Sequence, residues 1–509
     1  MRQTIAQKLW GENAKFLYLF FTALVLLFCG LGSKDIWTQE HRWADIVSAM
    51  FAHHDFLHPT LNTVEYYDKP LLSYWLIALI AKITGSLSTW ALRLPSALAG
   101  FVAVCSIYTL GSQLKNRSLG LLAGWMLVTT FYFLFWARTS SADMLNLAGT
   151  LLAITWFYEK KSCPSFFNYF IFFFILAIAA LCKGLIAPAI VVLAVLTKVV
   201  IEKSWRIHLR PSLFLALIPA LILYYLPFWA SVHFGSTHYN ENGLTLVWRE
   251  NVLRYFEPFD HKGPIYTYFI FLPVYLLPWT MFFIPALFFL RKRWEKLSTG
   301  LHWLYWTTLV LFLFLTLSGS RRNYYVLPLV PFAILITADW VLTLKQKRFV
   351  GIFTVLSASV MIIFFAIAQP IWYKIHGVAT FAETLQREAN QIHPWSDWKI
   401  VLLDPESKIR FYLHLPEDIA PNNLAGEKRA EQTTVSLLHA WPMLSHVNSH
   451  KNIIYISRVQ YKNALQPLFK HYRVVQIDSG ASSPIAFLPS QSYDTNNFLN
   501  TRKARNHDR

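Results

Sequence analysis

The chain has 509 residues and a mass of 59.0 kDa; 55% of its residues are hydrophobic and only 15% are charged. A soluble chain carries about 25% charged residues. This much apolar surface needs lipid as its solvent, so the composition excludes a soluble enzyme, a secreted disulfide scaffold and a disordered chain. The formal net charge of +18 is concentrated in short loops, where basic residues orient a membrane protein and contact phospholipid.

Apolar runs bounded by polar residues predict a series of transmembrane helices. They lie near residues 16–32, 94–111, 119–136, 142–157, 166–182, 184–200, 212–232, 267–290, 301–318, 324–342 and 349–369. The first run follows Lys8 and Lys15 but precedes no small-residue cleavage site, so it is predicted to be an uncleaved helix. The segment Leu71–Thr84 is short and is predicted to be juxtamembrane or re-entrant. Two extra crossings would also be consistent with the loop charges, so the predicted total is about 11 to 13 helices.

The basic loops between these runs predict the orientation of the chain. If Leu71–Thr84 does not fully cross, the basic loops all lie in the cytoplasm, together with the N-terminus. The outer side then receives 33–93, 137–141 with the adjoining helix start, Lys183–Gly184, 233–266 and 319–323. The sequence thus predicts a membrane domain over residues 1–370 whose first outer loop spans 33–93.

The chain beyond residue 370 is richer in polar and charged residues. Thr380–His393 has helical periodicity, and Thr380 with Glu383 fits a capping box. Strands are predicted at 399–403, 452–457 and 473–477. These elements predict a soluble periplasmic α/β domain over residues 371–500, followed by a disordered basic tail over 501–509.

Ionisable residues recur in the predicted outer segments, next to the bilayer. A solvated loop explains the charges of the first segment but not their repetition in the others. Asp143 stands in the first turn of a helix, where a carboxylate also serves as an N-terminal charge. Lys183 interrupts a long apolar stretch, where a lysine is costly unless it pairs or reaches the interface. The alternative interpretation of Lys183 is a plain hairpin residue. His261, in the outer segment 233–266, has the alternative of an ordinary polar loop residue.

Cations outnumber carboxylates in this set, which suits a lipid-borne phosphate. Cationic side chains hold a phosphate and stabilise it as a leaving group, and a carboxylate acts as a base or orients a nucleophile. Asp68 with His261 offers oxygen and nitrogen ligands to a divalent metal such as Zn, Mg or Mn, although two ligands without a characteristic spacing are a weak signal. The sequence contains no Walker A or GxGxxG pattern, so we expect no nucleotide cofactor.

Several short motifs resemble one known family. They are Glu40-His-Arg-Trp-Ala-Asp-Ile, Tyr67-Asp-Lys-Pro-Leu, Ala91-Leu-Arg-Leu-Pro-Ser, Ala137-Arg with Asp143-Met, Lys183-Gly, His261-Lys-Gly-Pro and Tyr325-Val-Leu-Pro. In order and placement they resemble the bacterial lipid A aminoarabinose transferases of the ArnT type, a group within the superfamily that includes the protein O-mannosyltransferases. The resemblance implies a GT-C fold: a helical membrane bundle with its site at the periplasmic face and a C-terminal periplasmic α/β domain. It also implies sugar transfer from a polyprenyl monophosphate carrier with inversion.

The resemblance implies roles for individual residues. Catalytic roles fall on Glu40, Arg42 and Asp143. Contacts with the carrier phosphate fall on Lys69, Lys183, Arg321 and Tyr325, and Lys262 is added as a cation of the same outer cluster. Metal binding falls on Asp68 and His261.

Two positions depart from the family pattern. Gln39 stands where the family has the first aspartate of an Asp-Glu pair, and glutamine cannot act as a base. Either Glu40 or Asp143 then acts as the base, or the acceptor needs none. A lipid A phosphate is already anionic at neutral pH and needs little deprotonation, whereas a serine or threonine hydroxyl needs more, so Gln39 favours a phosphate acceptor. Asp68 stands where the family has glutamate and is one methylene shorter, which weakens the metal prediction.

The sequence thus predicts a monomeric, multi-pass glycosyltransferase of the Gram-negative inner membrane. It would transfer a sugar, most readily an amino sugar such as aminoarabinose or a hexosamine, from undecaprenyl phosphate to lipid A or a related envelope glycolipid. The alternative acceptor is a serine or threonine of a protein. A lipid-carrier transporter or flippase is a different class, disfavoured because the chain has no internal repeat, and no nucleic-acid partner is expected.

Overall fold

The computed structural model describes residues 12–37, 39–61, 64–67, 69–234, 247–258, 261–404, 408–415, 452–477, 480 and 482–489. The predicted tail over 501–509 lies outside them. The chain forms two compact units, Met1–Ser33 with Arg42–Pro370 and Lys34–His41 with Ile371–Arg509.

The described part of the chain is mostly helical up to residue 376. In chain order the helices are α1 (Glu12–Phe28), α2 (Glu40–His53), α3 (Leu72–Thr84), α4 (Thr89–Leu114), α5 (Arg117–Val128), α6 (Phe131–Ala137), α7 (Ala142–Lys160), α8 (Phe166–Lys183), α9 (Ile186–Ile201), α10 (Trp205–His208), α11 (Pro211–His233), α12 (Arg254–Phe256, after a π turn Arg249–Leu253), α13 (Thr267–Tyr275), α14 (Thr280–Phe288), α15 (Leu290–Arg293), α16 (Thr299–Leu317), α17 (Val330–Val341, after a 3-10 segment Asn323–Leu329), α18 (Lys347–Ile362) and α19 (Gln369–His376, after a π segment Ile363–Ala368). A two-stranded antiparallel ribbon, β1 (Thr60–Leu61) with β2 (Val64–Glu65), lies between α2 and α3.

Short polar side chains start many of these helices. Each accepts a hydrogen bond from a backbone N–H of the first turn, which would otherwise have no partner. The capping residues are Ser88, Asn116, Ser141, Ser165 and Ser298. All five stand at the polar punctuation between apolar runs, which is why the runs locate the helices to within a few residues.

Six helical segments are long and apolar enough to cross a membrane, or seven if a bent pair counts as one span. They are Thr89–Leu114, Phe166–Lys183, Pro211–His233, Thr299–Leu317, Asn323–Val341 and Lys347–Asn390, and the bent pair is α5 with α6, which turns by 68°. This number, taken over the described residues, is smaller than the predicted 11 to 13. Three further apolar helices are shorter, namely Ala14–Phe28, Leu72–Thr84 and Ile186–Ile201.

The difference has a local cause in two of the predicted runs. The run over 119–136 breaks at Thr129, whose hydroxyl donates to the carbonyl of Trp125 at 2.6 Å and accepts from the indole of Trp279 at 3.0 Å. The run over 267–290 breaks before Pro278, which has no N–H to continue a helix. Hydropathy cannot register either break, because the residues around both remain apolar.

The consecutive helices α7, α8 and α9 run up and down against one another. Their connections place the start of α7, the end of α8 and the start of α9 at one end of the bundle. At the other end, basic residues of several loops share carboxylates: Lys161 and Lys198 with Glu202, and Lys115 and Arg293 with the fully buried Asp339. The loops that the positive charges assigned to one side therefore lie together.

The second unit contains a four-stranded sheet. Its strands are β3 (Lys399–Leu402), β4 (Ile453–Arg458), β5 (Tyr472–Gln476) and β6 (Pro484–Pro489). Their order is β3-β4-β6-β5, in which β3 and β4 are parallel and the other pairs are antiparallel. The three predicted strands are confirmed, and the predictions did not include β6.

Helix α20 (Val378–Asn390) packs on this sheet through Phe381 and Leu385. The predicted start of this helix at a Thr380 capping box is wrong. The helix begins two residues earlier, at Val378, whose N–H donates to Oδ2 of Asp35 at 2.9 Å. A carboxylate 343 positions away in sequence thus supplies the cap, which no local motif reveals. The described residues of this unit also form two helical turns, α21 (Ile409–Tyr412) and α22 (Lys462–Leu465).

Candidate active site

The first unit contains a cavity of about 360 Å³. Its lining comes from the predicted outer segments: Lys69 from the first, Asn146 from the start of α7, Lys183 at the end of α8, Arg254 from 233–266 and Ser320 from 319–323. The sequence predicted that these segments share one side of the membrane, and the fold brings them to one chamber.

Most of the cavity lining is apolar. The apolar wall comes from α9 and the residue before it, from α11, α12 and α16, and from the 3-10 segment; its residues are Leu185, Ile186, Ala189, Phe228, Phe256, Phe314, Leu315 and Pro328. A chamber with a few cations in a largely apolar lining suits a ligand that is ionic at one end and hydrocarbon at the other.

Lys183 and Asp143 form an ion pair at the edge of this cavity. Nζ of Lys183 contacts Oδ1 of Asp143, and the two side chains are only 14% and 12% exposed. Each residue occupies a favourable helix end, because Asp143 lies in the first turn of α7 and Lys183 in the last turn of α8. The other carboxylate oxygen of Asp143 accepts a hydrogen bond from Oγ of Ser141 at 2.9 Å.

The Lys183 ammonium also lies over the ring of Tyr325, 5.0 Å from the ring centroid. A cation at this distance is attracted by the electron-rich ring face. Tyr325 lines the cavity as well. Three sequence-predicted residues, Asp143, Lys183 and Tyr325, are therefore in direct contact, although they lie on three different elements.

Gly184 turns the chain between α8 and α9 and holds Lys183 in place. Its φ of +105° and ψ of −164° lie in a region that only glycine adopts without strain. A Cβ at this position would lie 2.5 Å from Oδ1 of Asn251. That oxygen accepts a hydrogen bond from the N–H of Leu185 at 2.8 Å, and the Asn251 amide donates to the carbonyl of Val247 at 2.7 Å.

A second polar group lies on the segment that follows Val247. Arg254 donates to Oε2 of Glu250 at 2.6 Å and to Nδ1 of His261 at 2.6 Å. Glu250, Asn251 and Arg254 line the cavity. The sequence predictions missed all three residues; the Glu-x-x-x-Arg spacing was the available signal, because it places opposite charges on one helical face.

Tyr67 forms another part of the wall. Its hydroxyl donates to the carbonyl of Leu57 at 2.6 Å and hydrogen-bonds to Oγ of Ser231. Burial raises the pKa of Tyr67 to about 12, so the phenol stays neutral at physiological pH. These bonds fix the end of the first loop, which carries Lys69 into the cavity lining.

The two other predicted catalytic residues lie at α2. Glu40 is fully buried, and its Oε2 accepts a hydrogen bond from the N–H of Trp37 at 2.7 Å, which closes the turn that begins the helix. Arg42 donates to the hydroxyl of Tyr66 at 2.9 Å. Neither residue is part of the cavity lining, and their catalytic roles stay predictions.

Arg321 and Lys262 have partners on the backbone. The Arg321 guanidinium donates to the carbonyls of Thr316 at 3.0 Å and Gly263 at 2.6 Å. Lys262 forms a β-bridge with Ser320 and exposes its side chain. These bonds brace the turn that presents Ser320 and Tyr325, and the predicted phosphate contacts of Arg321 and Lys262 stay predictions.

The described residues do not fit a resident metal ion. Among them, no three His, Cys, Asp or Glu side chains lie together as a metal site requires. Nδ1 of His261 accepts a hydrogen bond from Arg254, so in the neutral ring the proton lies on Nε2 and neither nitrogen offers a lone pair to a metal. Asp68, the other predicted ligand, lies outside the described residues.

Comparison with known proteins identifies relatives. Residues 68–229 match the family described as dolichyl-phosphate-mannose-protein mannosyltransferase. A relative from Shewanella sediminis, named undecaprenyl phosphate-alpha-4-amino-4-deoxy-L-arabinose arabinosyl transferase, is 25% identical over 69% of this chain and 66% of its own length. A relative of the same name from Yersinia pestis is 26% identical over 64% of this chain and 59% of its own. The chain thus matches between 59% and 66% of the length of these relatives, less than two thirds.

Solved structures share the fold. ArnT from Cupriavidus metallidurans, described as bound to undecaprenyl phosphate, has a TM-score of 0.64 and 16% identity, and the match covers 94% of this chain and 99% of that one. The Archaeoglobus fulgidus oligosaccharyltransferase, described as a complex with Zn and sulfate, has a TM-score of 0.51 and 12% identity over 90% of this chain and 71% of that one. The predicted fold class, a helical membrane bundle followed by a sheet-containing unit, is confirmed. In sequence the chain is similar to proteins named undecaprenyl phosphate-aminoarabinose arabinosyl transferases, and it shares the fold of the solved ArnT structure.

Proposed function

We propose that this protein is a membrane glycosyltransferase that takes a sugar from undecaprenyl phosphate and transfers it to lipid A or a related envelope glycolipid. The observation that carries the proposal is one cavity that combines Lys69, Lys183 and Arg254 with a largely apolar lining. The relatives whose names mention undecaprenyl phosphate support the choice of carrier.

The cations would bind the carrier phosphate. Charge-assisted hydrogen bonds to a phosphate are about twice as strong as neutral ones, and the apolar wall would receive the first isoprene units. Lys183 is held by Asp143 and Tyr325 before the carrier arrives. A preorganised cation needs no rearrangement as negative charge develops on the leaving phosphate.

The reaction would be a single displacement with inversion. An acceptor oxygen attacks the anomeric carbon, the bond from that carbon to the phosphate oxygen breaks, and the electron pair leaves with the polyprenyl phosphate. Lys69 and Lys183 stabilise this charge. A lipid A phosphate oxygen is anionic at neutral pH and attacks without transferring a proton.

A carboxylate is then a positioning group more than a base. Asp143 orients Lys183, and Glu40 is the other carboxylate that the resemblance assigns to the site. Survival of activity in both Glu40→Gln and Asp143→Asn would leave no carboxylate acting as a base. A divalent metal is left out of the proposal, because the donor set among the described residues does not fit one.

The protein would lie in the inner membrane of a Gram-negative bacterium, as a monomer, with its N-terminus in the cytoplasm. The clustering of Lys115, Lys161, Lys198 and Arg293 at the end of the bundle away from Lys183 supports this orientation. The cavity would then open on the periplasmic side, where the second unit would also lie.

A protein acceptor is the second candidate. The matched family, over residues 68–229, is described by a protein mannosyltransferase, and a serine or threonine hydroxyl would need a base. Gln39 in place of a carboxylate favours the lipid acceptor, as does the aminoarabinose transferase name of the Shewanella sediminis relative.

Mass spectrometry of lipid A tests the choice between these acceptors. The strains are one without the gene product, one with it and one with the Asp143→Asn variant. A pentosamine or hexosamine increment that depends on the wild-type protein supports the proposal and names the sugar class. Identical lipid A in all three strains contradicts it, and glycosylated envelope proteins in the same strains then test the second candidate.

A further inference from the structure

Two buried polar side chains in the lining of the cavity have no described hydrogen-bond partner. Asn146 is 1% exposed, and no described group bonds to its Oδ1. Ser320 is 5% exposed, and no described group bonds to its Oγ. Both residues line the cavity and are uncharged, unlike the cavity cations Lys69, Lys183 and Arg254.

Such groups are costly unless a partner comes from outside the chain. Most buried polar atoms in proteins are hydrogen-bonded, and a buried amide oxygen or hydroxyl without a partner destabilises the fold. Apolar residues of similar size would fill the same places at lower cost. The location of both groups in the cavity wall indicates that the occupant of the cavity supplies the missing bonds.

The position of Asn146 identifies which part of an occupant it would meet. Asn146 follows Asp143 by three positions on α7, so both point to the same helical face, about one turn apart. Asp143 pairs with Lys183, which the proposed function assigns to the carrier phosphate. A group bonded directly to that phosphate therefore lies within reach of Asn146, whereas the hydrocarbon chain follows the apolar wall.

We propose that Asn146, with Ser320 of the same cavity lining, recognises the hydroxyl groups of the phosphate-linked sugar and determines which sugar the protein accepts. This inference rests on the proposed function and adds a sugar subsite beside the phosphate subsite. An amide oxygen accepts a hydrogen bond from one sugar hydroxyl, and the serine hydroxyl donates to or accepts from another. A sugar that lacks one of these hydroxyls would leave the corresponding side chain unpaired and would be rejected.

The matched control is Thr150, which lies on the same face of α7 one turn beyond Asn146. Thr150 is 2% exposed, and no described group bonds to its Oγ1, but it is not part of the cavity lining. Asn146→Ala and Thr150→Ala thus each remove a buried polar group from one helix face, and only the first changes the cavity.

The experiment measures the affinity of purified wild-type protein and of the Asn146→Ala, Ser320→Ala and Thr150→Ala variants for four lipids. These are undecaprenyl phosphate and the same lipid carrying 4-amino-4-deoxy-L-arabinose, galactosamine or mannose. We expect Asn146→Ala and Ser320→Ala each to weaken the best sugar-linked lipid by about tenfold, the loss of one hydrogen bond. Affinity for undecaprenyl phosphate should stay within about twofold, and Thr150→Ala should change neither ligand. Neither of the first two variants should lower the melting temperature, because neither removes a bond within the protein.

Other outcomes overturn the inference. If Asn146→Ala lost equal affinity for undecaprenyl phosphate and for the sugar-linked lipids, Asn146 would act on the phosphate or on the fold. If the variant lost affinity for neither lipid, Asn146 would bond to water alone. Wild-type protein that binds the sugar-linked lipids no more tightly than undecaprenyl phosphate has no sugar subsite. Failure of the wild-type protein to bind undecaprenyl phosphate would instead contradict the proposed function.

Discussion

Replacing Lys183 by methionine tests the central contact of the proposed site. Methionine keeps the length and much of the apolar stem of the side chain but removes the ammonium group that contacts Asp143 and lies over Tyr325. Two separate effects should follow, because Lys183 would both bind the carrier phosphate and balance a buried carboxylate.

The first effect is on ligand binding. A hydrogen bond to a charged group contributes about 1.5–3 kcal/mol, which corresponds to a loss of about 10- to 150-fold in the affinity for undecaprenyl phosphate. The Lys183 side chain is only 14% exposed, so screening by water should not reduce the effect below this range. Lys82→Met is the control, because Lys82 lies in the last turn of α3, as Lys183 does in α8, but is exposed and is not part of the cavity lining.

The second effect is on stability. Removal of one partner leaves the Asp143 carboxylate, 12% exposed, without its ion pair, which costs about 3 kcal/mol. The double variant Asp143→Asn with Lys183→Met should recover most of this stability but none of the affinity. The melting temperature in detergent measures the stability, and binding of undecaprenyl phosphate measures the affinity.

Unchanged affinity in a folded Lys183→Met variant would refute the assignment of Lys183 to the phosphate. A parallel loss for Lys82→Met would show that general surface charge, and not the cavity, attracts the carrier. A double variant that regained affinity along with stability would show that Lys183 acts through the fold alone.

Three further predictions concern single sites. Gly184→Ala should lower activity by at least tenfold and lower the melting temperature, because the added Cβ would lie 2.5 Å from Asn251 and alanine is strained at this φ. The control Gly351→Ala should do neither, because its Cβ would meet nothing within 4 Å. Equal effects of the two substitutions would contradict this role for Gly184. Asp339→Asn should destabilise the protein by about 3–5 kcal/mol, because the fully buried carboxylate balances the cations Lys115 and Arg293. Purified variant that remains folded should bind undecaprenyl phosphate as the wild type does. A selective loss of binding would argue that the Asp339 charges and the Lys183 charges are not separate. Burial raises the pKa of Tyr472 to about 12. The folded protein therefore keeps a proton that the unfolded chain loses near pH 10. The stability due to the neutral phenol is complete below about pH 10 and is lost as the pH rises through about 12. Tyr472→Phe should therefore flatten the fall of the melting temperature over that interval, and a slope equal to that of the wild type would refute the assignment.

The helices were the most predictable part of the fold. Polar residues that punctuate the apolar runs, such as Ser88 and Ser165, also cap the helices that follow. The breaks inside the runs were not predictable from hydropathy, because the residues around Thr129 and Pro278 are apolar on both sides. The start of α20 was missed because its cap is Asp35, which lies far away in sequence.

The candidate site was predictable where the cost of a charge is local. Lys183 stood out because a lone cation between apolar runs needs a partner, and Asp143 stood out at the start of an apolar helix. Arg254 was missed because its segment carries several other charged residues, such as Arg249 and Glu250, so that a further cation does not stand out. Asn146 was missed because a single neutral amide in a helix is common and becomes informative only when its surroundings leave it without a partner.

The sequence by itself determined that this chain lies in a membrane. It also determined the positions of most of the helices and which segments share a side of the membrane, because hydropathy, capping and loop charge are local properties of the chain. Only the tertiary structure decided which of the ionisable residues meet. The pairing of Asp143 with Lys183 under Tyr325, the use of Arg321 on backbone carbonyls and the burial of Asn146 in a cavity wall all depend on contacts between distant elements, and the packing of the helices fixes those contacts.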